Sequence, residues 1–240
     1  MFVLGLDCQA QALYNSYMDF KGAIFDLDGT LLDSMEMWLN AGELFLESLG
    51  IKAEEGLGAA LLQMNVEEGA LYIQKKYGLE LTCKEIAEGT AAVVKKTYAE
   101  KIQPKEGAVD FLKLLSEKKI PCAILTGSDR EMFDGCLKRH GLEKFFQKIL
   151  TCSELKMSKS NPEIYSAAAK MLGTSAQQTL VFEDAPEAIK SASKAGFFTV
   201  GIFDQCTHSN SDICSARKNS RLFCRDFYEA ADFLRKKGLL

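Results

Sequence analysis

Short, nearly continuous apolar runs alternate along the chain with longer amphipathic stretches. Strand-like runs rich in Ile, Val, Leu and Phe recur at GAIFDLD (22–28), PCAILTG (121–127), FQKILT (146–151), QTLVFED (178–184), FFTVGIF (197–203) and SRLFCRD (220–226). Runs that stay apolar at successive positions belong to strands covered on both faces, as in a parallel sheet between layers of helix. Helices are predicted at 106–118, 129–140, 162–172, 185–195 and 226–237. Ser128 stands as an N-cap, Asn161 and Pro162 occupy cap and first-turn positions, and Gly173 and Gly196 stop their helices. In the last helix Phe227, Ala230, Ala231 and Leu234 recur at helical spacing, with basic residues in the final turn.

From 34 to about 103 the strand runs vanish and amphipathic helices are predicted at 35–49, 66–77 and 83–101. This helical insertion falls directly after the first strand, and Pro104 with Gly107 marks the return to the alternating pattern. The predicted fold class is α/β: a Rossmann-like parallel sheet core with helices on both faces, formed by residues 1–33 and 104–240, carrying an inserted helical cap at 34–103. Residues 1–17, ahead of Met18, read as a short docked extension, an expression remnant or an upstream start. The stretch 204–220 carries little motif information and reads as a loop.

At about 150 residues per domain, 240 residues suit one large domain or one domain with an insertion. An apolar share of 47% with 26% charged residues excludes disordered, collagen-like and low-complexity classes. The net charge of -4, with both signs mixed, supplies no basic field for nucleic acid. No apolar run approaches the ~18 residues of a membrane-spanning helix. The first twenty residues lack the basic region and long apolar run of a secretory signal, so the chain reads as cytoplasmic. Eight cysteines form no CxxC pair; Cys122, Cys152 and Cys224 sit in or beside apolar runs as expected core thiols, and no disulfide framework is expected.

The chemistry concentrates at strand ends. In FDLDGTLLDS (25–34) the first strand presents Asp26 and Asp28 on one side, before Gly29 permits a tight turn. Parallel α/β sheets bind ligands beyond the carboxyl ends of their strands, where this pair lies. Adjacent carboxylates repel unless a cation or a shared proton compensates. The fourth strand run ends in Glu183 and Asp184, so four carboxyl groups are expected to converge, an oxygen-only set that suits Mg²⁺. Thr126, Gly127 and Ser128 end the second run just before a helix, and Lys159 precedes another, which together predict a phosphate cradle beside a metal.

These residues, in this order, resemble the four motifs of the haloacid dehalogenase superfamily, in the subgroup whose helical cap follows the first motif. DLDGTL (26–31), Thr126, Lys159 before NPEIY, and Glu183-Asp184 carry the resemblance across residues 20–203. It implies Asp26 as a nucleophile attacking phosphorus and Asp28 as the acid/base. It further implies that Thr126, Gly127 and Lys159 hold the phosphoryl oxygens, and that Asp26, the backbone oxygen of Asp28, and Asp184 bind Mg²⁺ with Glu183 beside it. The sequence departs from the family where Ser158 and Ser160 flank the lysine and where Ala185 follows Asp184; Lys156 lies three residues from Lys159, and the NPEIY register selects Lys159.

Relatives resembling β-phosphoglucomutase keep a histidine where Trp38 stands here, and a basic residue where Asp129 stands, although Arg130 is adjacent. A phosphatase of a small phosphorylated metabolite is therefore preferred to a phosphosugar mutase or a non-catalytic phosphate- or partner-binding module. Trp38 resembles an aromatic of some sugar-phosphate phosphatases, which with Ser128 makes it a candidate substrate contact. The plainer alternatives are packing for Trp38, a helix cap for Thr126, a surface lysine for Lys159 and a first-turn helix acid for Glu183. His140 reads as a residue complementing a helix end and His208 as an exposed loop residue.

Overall fold

The computed structural model describes residues 19–61, 64–206 and 209–240; residues 1–17 and His208 therefore lie outside the described residues. Six strands, β1 (Gly22–Phe25), β2 (Cys122–Thr126), β3 (Phe146–Thr151), β4 (Thr179–Glu183), β5 (Phe198–Ile202) and β6 (Leu222–Cys224), form one sheet in the order β3-β2-β1-β4-β5-β6, with every pairing parallel. This is the strand order of a doubly wound fold, with the chain turning from one side of the sheet to the other around β1 and β4.

Side-chain alternation explains why the strands read as continuous apolar runs. Ala23, Phe25, Cys122, Ile124, Leu180 and Phe182 enter one core cluster. Their neighbours Ile24, Ala123, Leu125 and Val181 enter a second cluster on the other face. Helices α6 (Ala108–Glu117), α7 (Arg130–His140) and α12 (Phe227–Lys236) feed the first cluster through Phe111, Phe133 and Phe227. Phe25 stacks on Phe182 at 4.5 Å between ring centroids, with Phe111 edge-on to Phe182 at 5.1 Å. Helix α9 (Glu163–Leu172) feeds the second cluster with Ile164, Tyr165 and Ala168, and α10 (Pro186–Lys194) with Ala192. The remaining short helix of this half, α8 (Cys152–Leu155), follows β3.

Between β1 and α6 the chain forms α1 (Met35–Leu39), α2 (Ala41–Ser48), α3 (Leu57–Leu61), α4 (Val66–Tyr77) and α5 (Cys83–Glu100). Capping boxes, Asn65 with Glu68 and Thr82 with Glu85, start the two longest. The packing of this segment divides. Phe45, Leu46, Leu57, Ala70, Ile73 and Ile86 make a separate cluster, whereas Met37, Val94, Tyr98 and Ile102 join the main core.

Three local expectations need correction. The helix predicted at 35–49 is broken at Asn40, whose backbone leaves the helical region (φ -104, ψ 15), at a residue type that favours helix ends and turns over helix interiors. Asp129, not Ser128, occupies the N-cap position of α7, since the Ser128 hydroxyl is committed elsewhere. The 204–220 stretch contains a helix, α11 (Asn210–Asn219), started by a capping box of Ser209 and Asp212; only Ala216 of it is buried, so its apolar periodicity is faint. Cys122, Cys136 and Cys224 are buried and Cys152 is half-buried; all cysteines among the described residues are free. Among the described residues no helix is long and apolar enough to cross a membrane.

Candidate active site

Strand register assembles the site. Phe25 pairs with Phe182 across β1 and β4 and with Ile124 across β1 and β2, so the residues that follow each strand leave the sheet at one edge. The Asp26 N–H donates to the Phe182 carbonyl at 2.9 Å, which sets Asp26 beside Glu183. Gly29 turns the chain at φ +80; a Cβ there would stand 2.5 Å from Asp184 Oδ2, so only glycine lets this turn pass the second acid pair.

Asp26, Glu183 and Asp184 bring carboxylate oxygens within 4.8 Å of one another, and all three are buried. Lys159, from the loop before α9, lies among them. Its ammonium bonds Asp26 Oδ1 and pairs with Glu183 Oε1 at 2.7 Å. The backbone of Lys156 instead turns left-handed at the end of α8 (φ 53), and its side chain forms none of these contacts. Thr30 Oγ1 lies 3.3 Å from Asp26 Oδ2 and 3.1 Å from Asp184 Oδ1. Tyr165, of the NPEIY run, donates to Glu183 Oε1 at 2.8 Å. Glu183 is thus the last residue of β4 and a member of the cluster, and it lies outside the first turn of α10, ahead of the Ala185 N-cap.

Electrostatics follow from burial. Desolvation raises the Asp26 carboxyl, with Lys159 opposing and Asp28 adding to the rise. Burial raises Asp184 well above the usual carboxylate range, reinforced by Asp26 and Glu183, and pushes Glu183 up to about 7. Burial works against the charge of Lys159, but the carboxylates of Asp26 and Glu183 outweigh it and raise its ammonium above the usual range. One ammonium faces three buried carboxyls, and Glu183 Oε2 is buried with no hydrogen-bond partner. An oxygen-only donor set with an unsatisfied carboxylate oxygen fits a hard divalent cation, so this cluster could hold a metal ion.

The expected convergence of four carboxyl groups is corrected to three. The Asp28 carboxylate turns instead to hydroxyls: Ser34 Oγ at 2.6 Å and the Tyr98 hydroxyl on Oδ1, and Ser128 Oγ at 2.6 Å on Oδ2. Sequence reading singled out none of Thr30, Ser34, Tyr98 and Tyr165 as site neighbours; Thr30, Ser34 and Tyr165 stand within the motif runs, whereas Tyr98, on α5 and 70 positions from Asp28, carries no local signal. Trp38 donates its indole N–H to the Tyr98 hydroxyl at 2.9 Å and packs against the main core. Thr126 is buried, and its Oγ1 accepts the Ser128 N–H at 3.0 Å. Gly127 has open space where a Cβ would stand and, with Lys159, Ser158, Lys156, Met157 and Cys152, lines a shallow, open depression beside the cluster. His140, in the last turn of α7, lies 2.9 Å through Nε2 from the Ile102 carbonyl.

The sequence profile of the haloacid dehalogenase-like hydrolases matches residues 23–202. Validoxylamine A 7'-phosphate phosphatase of Streptomyces hygroscopicus subsp. limoneus is 28% identical over 200 residues, covering 82% of this chain and 91% of the relative. Fructose-1-phosphate phosphatase of Escherichia coli is 26% identical over 186 residues, covering 78% and 98%. A solved structure from Thermotoga maritima, described as a candidate beta-phosphoglucomutase, matches with a TM-score of 0.79 at 21% identity over 90% of this chain and 99% of the other, a likeness of fold.

Proposed function

The chain belongs to the haloacid dehalogenase-like hydrolase family and is a phosphoric monoester hydrolase, and we propose that it releases phosphate from a small phosphorylated sugar or polyol through an aspartyl-phosphate on Asp26. The observation that carries this reading is the meeting of Asp26, Lys159, Glu183 and Asp184 at the carboxyl edge of the sheet, beside the open backbone of Gly127.

In the first step an Asp26 oxygen attacks phosphorus, the bond from phosphorus to the leaving oxygen breaks, and Asp28 gives its proton to that oxygen. In the second, water gives a proton to Asp28 and attacks phosphorus, the bond to Asp26 breaks, and inorganic phosphate leaves. The Lys159 ammonium and the N–H groups around Thr126 and Gly127 hold the phosphoryl oxygens and offset charge as it develops. Asp26, Asp184 and the backbone carbonyl of Asp28, with Glu183 beside them, are the residues that would hold Mg²⁺, which when bound screens the repulsion between substrate phosphate and Asp26.

Residues 34–103 act in this reading as a cap over the substrate, excluding bulk water during the first step. The sugar or polyol class rests on the relatives named above. A mutase needs a phosphoenzyme protected from water and a second phosphate site; Trp38 and Asp129 stand where such relatives keep histidine and a basic residue. The test is phosphate release from a panel of sugar, polyol and nucleoside monophosphates with Mg²⁺ or EDTA. Release that requires the cation is the expected result. A silent panel together with bisphosphate-primed isomerisation would replace this reading with the mutase.

A further inference from the structure

We propose that Tyr98, carried by the helical insertion, is a positioning residue for Asp28, holding the acid/base carboxylate in its working orientation; this rests on the phosphatase reading of the site. Tyr98 is fully buried, and a buried phenol must find a partner for its hydroxyl. That partner is Asp28 Oδ1. The Trp38 indole N–H donates to the same hydroxyl at 2.9 Å, so the phenol's own hydrogen is directed to the carboxylate. Ser34 adds a second donor to Oδ1 and Ser128 a donor to Oδ2, both at 2.6 Å. With both oxygens engaged, rotation of the carboxylate breaks at least one bond in a half-buried network.

The anchoring of Tyr98 ties it to the phosphate loop. Helix α7 begins two residues after Ser128, and its far end grips the end of α5: Arg139 donates to the carbonyls of Tyr98, at 3.2 Å, and Ile102, and His140 lies 2.9 Å from the Ile102 carbonyl. Between them Gly135 faces Ala99, where an added Cβ would stand 3.3 Å from the Ala99 side chain. One core helix therefore sets both Ser128 and Tyr98, the donors on opposite oxygens of Asp28. Proton transfer to a leaving oxygen needs the acid within hydrogen-bond reach, and a displacement of about 1 Å costs on the order of a hundredfold in rate.

Tyr98→Phe removes the donor while keeping the ring, and is assayed beside the native protein for melting temperature, for steady-state turnover of a sugar or polyol phosphate, and for the first-turnover release of p-nitrophenol from p-nitrophenyl phosphate. An alkyl leaving group depends on the acid and p-nitrophenolate scarcely does. The expected result is a loss of about ten- to a hundredfold in kcat on the alkyl phosphate, with the p-nitrophenol burst rate changed far less. Trp38→Phe, which removes the N–H that orients the phenol, is expected to shift the same pair of readouts in the same direction by a smaller factor, and it carries the test if Tyr98→Phe does not fold. Wild-type kcat in folded variants, or equal slowing of both substrates, overturns the proposal. Native protein that hydrolyses nothing overturns the phosphatase reading and this one with it, whereas native turnover with an unimpaired Tyr98→Phe overturns this one alone.

Discussion

Asp26 and Asp28 stand two residues apart in one turn, yet the protein surrounds them with opposite kinds of partner. Asp26 lies among charges: the Lys159 ammonium, Glu183 and Asp184, with Thr30 between. Asp28 lies among neutral hydroxyls from Ser34, Tyr98 and Ser128. The first environment is built by the sheet, because the β1–β4 register carries Asp26 to Glu183 whatever the insertion does. The second is built by helices, since Ser34 leads into the insertion, Tyr98 lies near its end and Ser128 precedes α7. In the proposed reaction the carboxylate that attacks phosphorus thus lies in a charged cluster, and the neighbour that moves the proton lies among hydrogen-bond donors.

The comparison breaks first at Asp26. Asp26→Asn removes the oxygen that attacks in the proposed reaction, and phosphate release is expected to fall by about a thousandfold or more, measured on the best substrate of the panel; a smaller loss would mean that another group attacks. Next is Lys159→Ala, which leaves the buried carboxyls without their ammonium and is expected to cost about 3–5 kcal/mol of stability in urea unfolding. A near-native midpoint would show that the carboxyls simply take up protons.

The charged side also has a pH signature. Burial lifts the carboxyls of Asp26, Asp184 and Glu183, the last from 4.5 to about 7. Over that window the metal-free fold holds more protons than the unfolded chain, so its stability falls as pH rises through it and levels off above. Mg²⁺ binding to the ionised cluster offsets that loss, and the rise in melting temperature on adding Mg²⁺ is expected to be larger near pH 8 than near pH 5, by about 2–4 °C for each kcal/mol of linkage. Equal shifts at both pH values would exclude these carboxyls as the binding groups. The smallest effect belongs to the hydroxyl side: Ser34→Ala removes one of two donors on Asp28 Oδ1 and is expected to cost about 0.5–1.5 kcal/mol in the same unfolding measurement.

This division also marks what could be read in the sequence. All six strand runs and the acids ending two of them were legible, because strands buried on both faces leave unbroken apolar runs and polar residues stand out at their ends. The choice of Lys159 over Lys156 could be made from the NPEIY register, and Tyr165 of that run meets Glu183. Tyr98 could not be read, since its contact with Asp28 depends on how α5 is gripped by Arg139 and His140, a tertiary arrangement with no local mark. The break at Asn40 and the helix at Asn210–Asn219 escaped for different reasons: the first interrupts an amphipathic pattern that continues on both sides of it, and the second buries too little to leave a period.

The central claim is that phosphorus passes through Asp26. Acid quenching during steady turnover with Mg²⁺, followed by peptide mapping by mass spectrometry, tests it most directly. One phosphoryl group on the peptide containing Asp26, absent from Asp26→Asn, is the expected result. Continued turnover by the native protein with the phosphoryl group on another residue would contradict it.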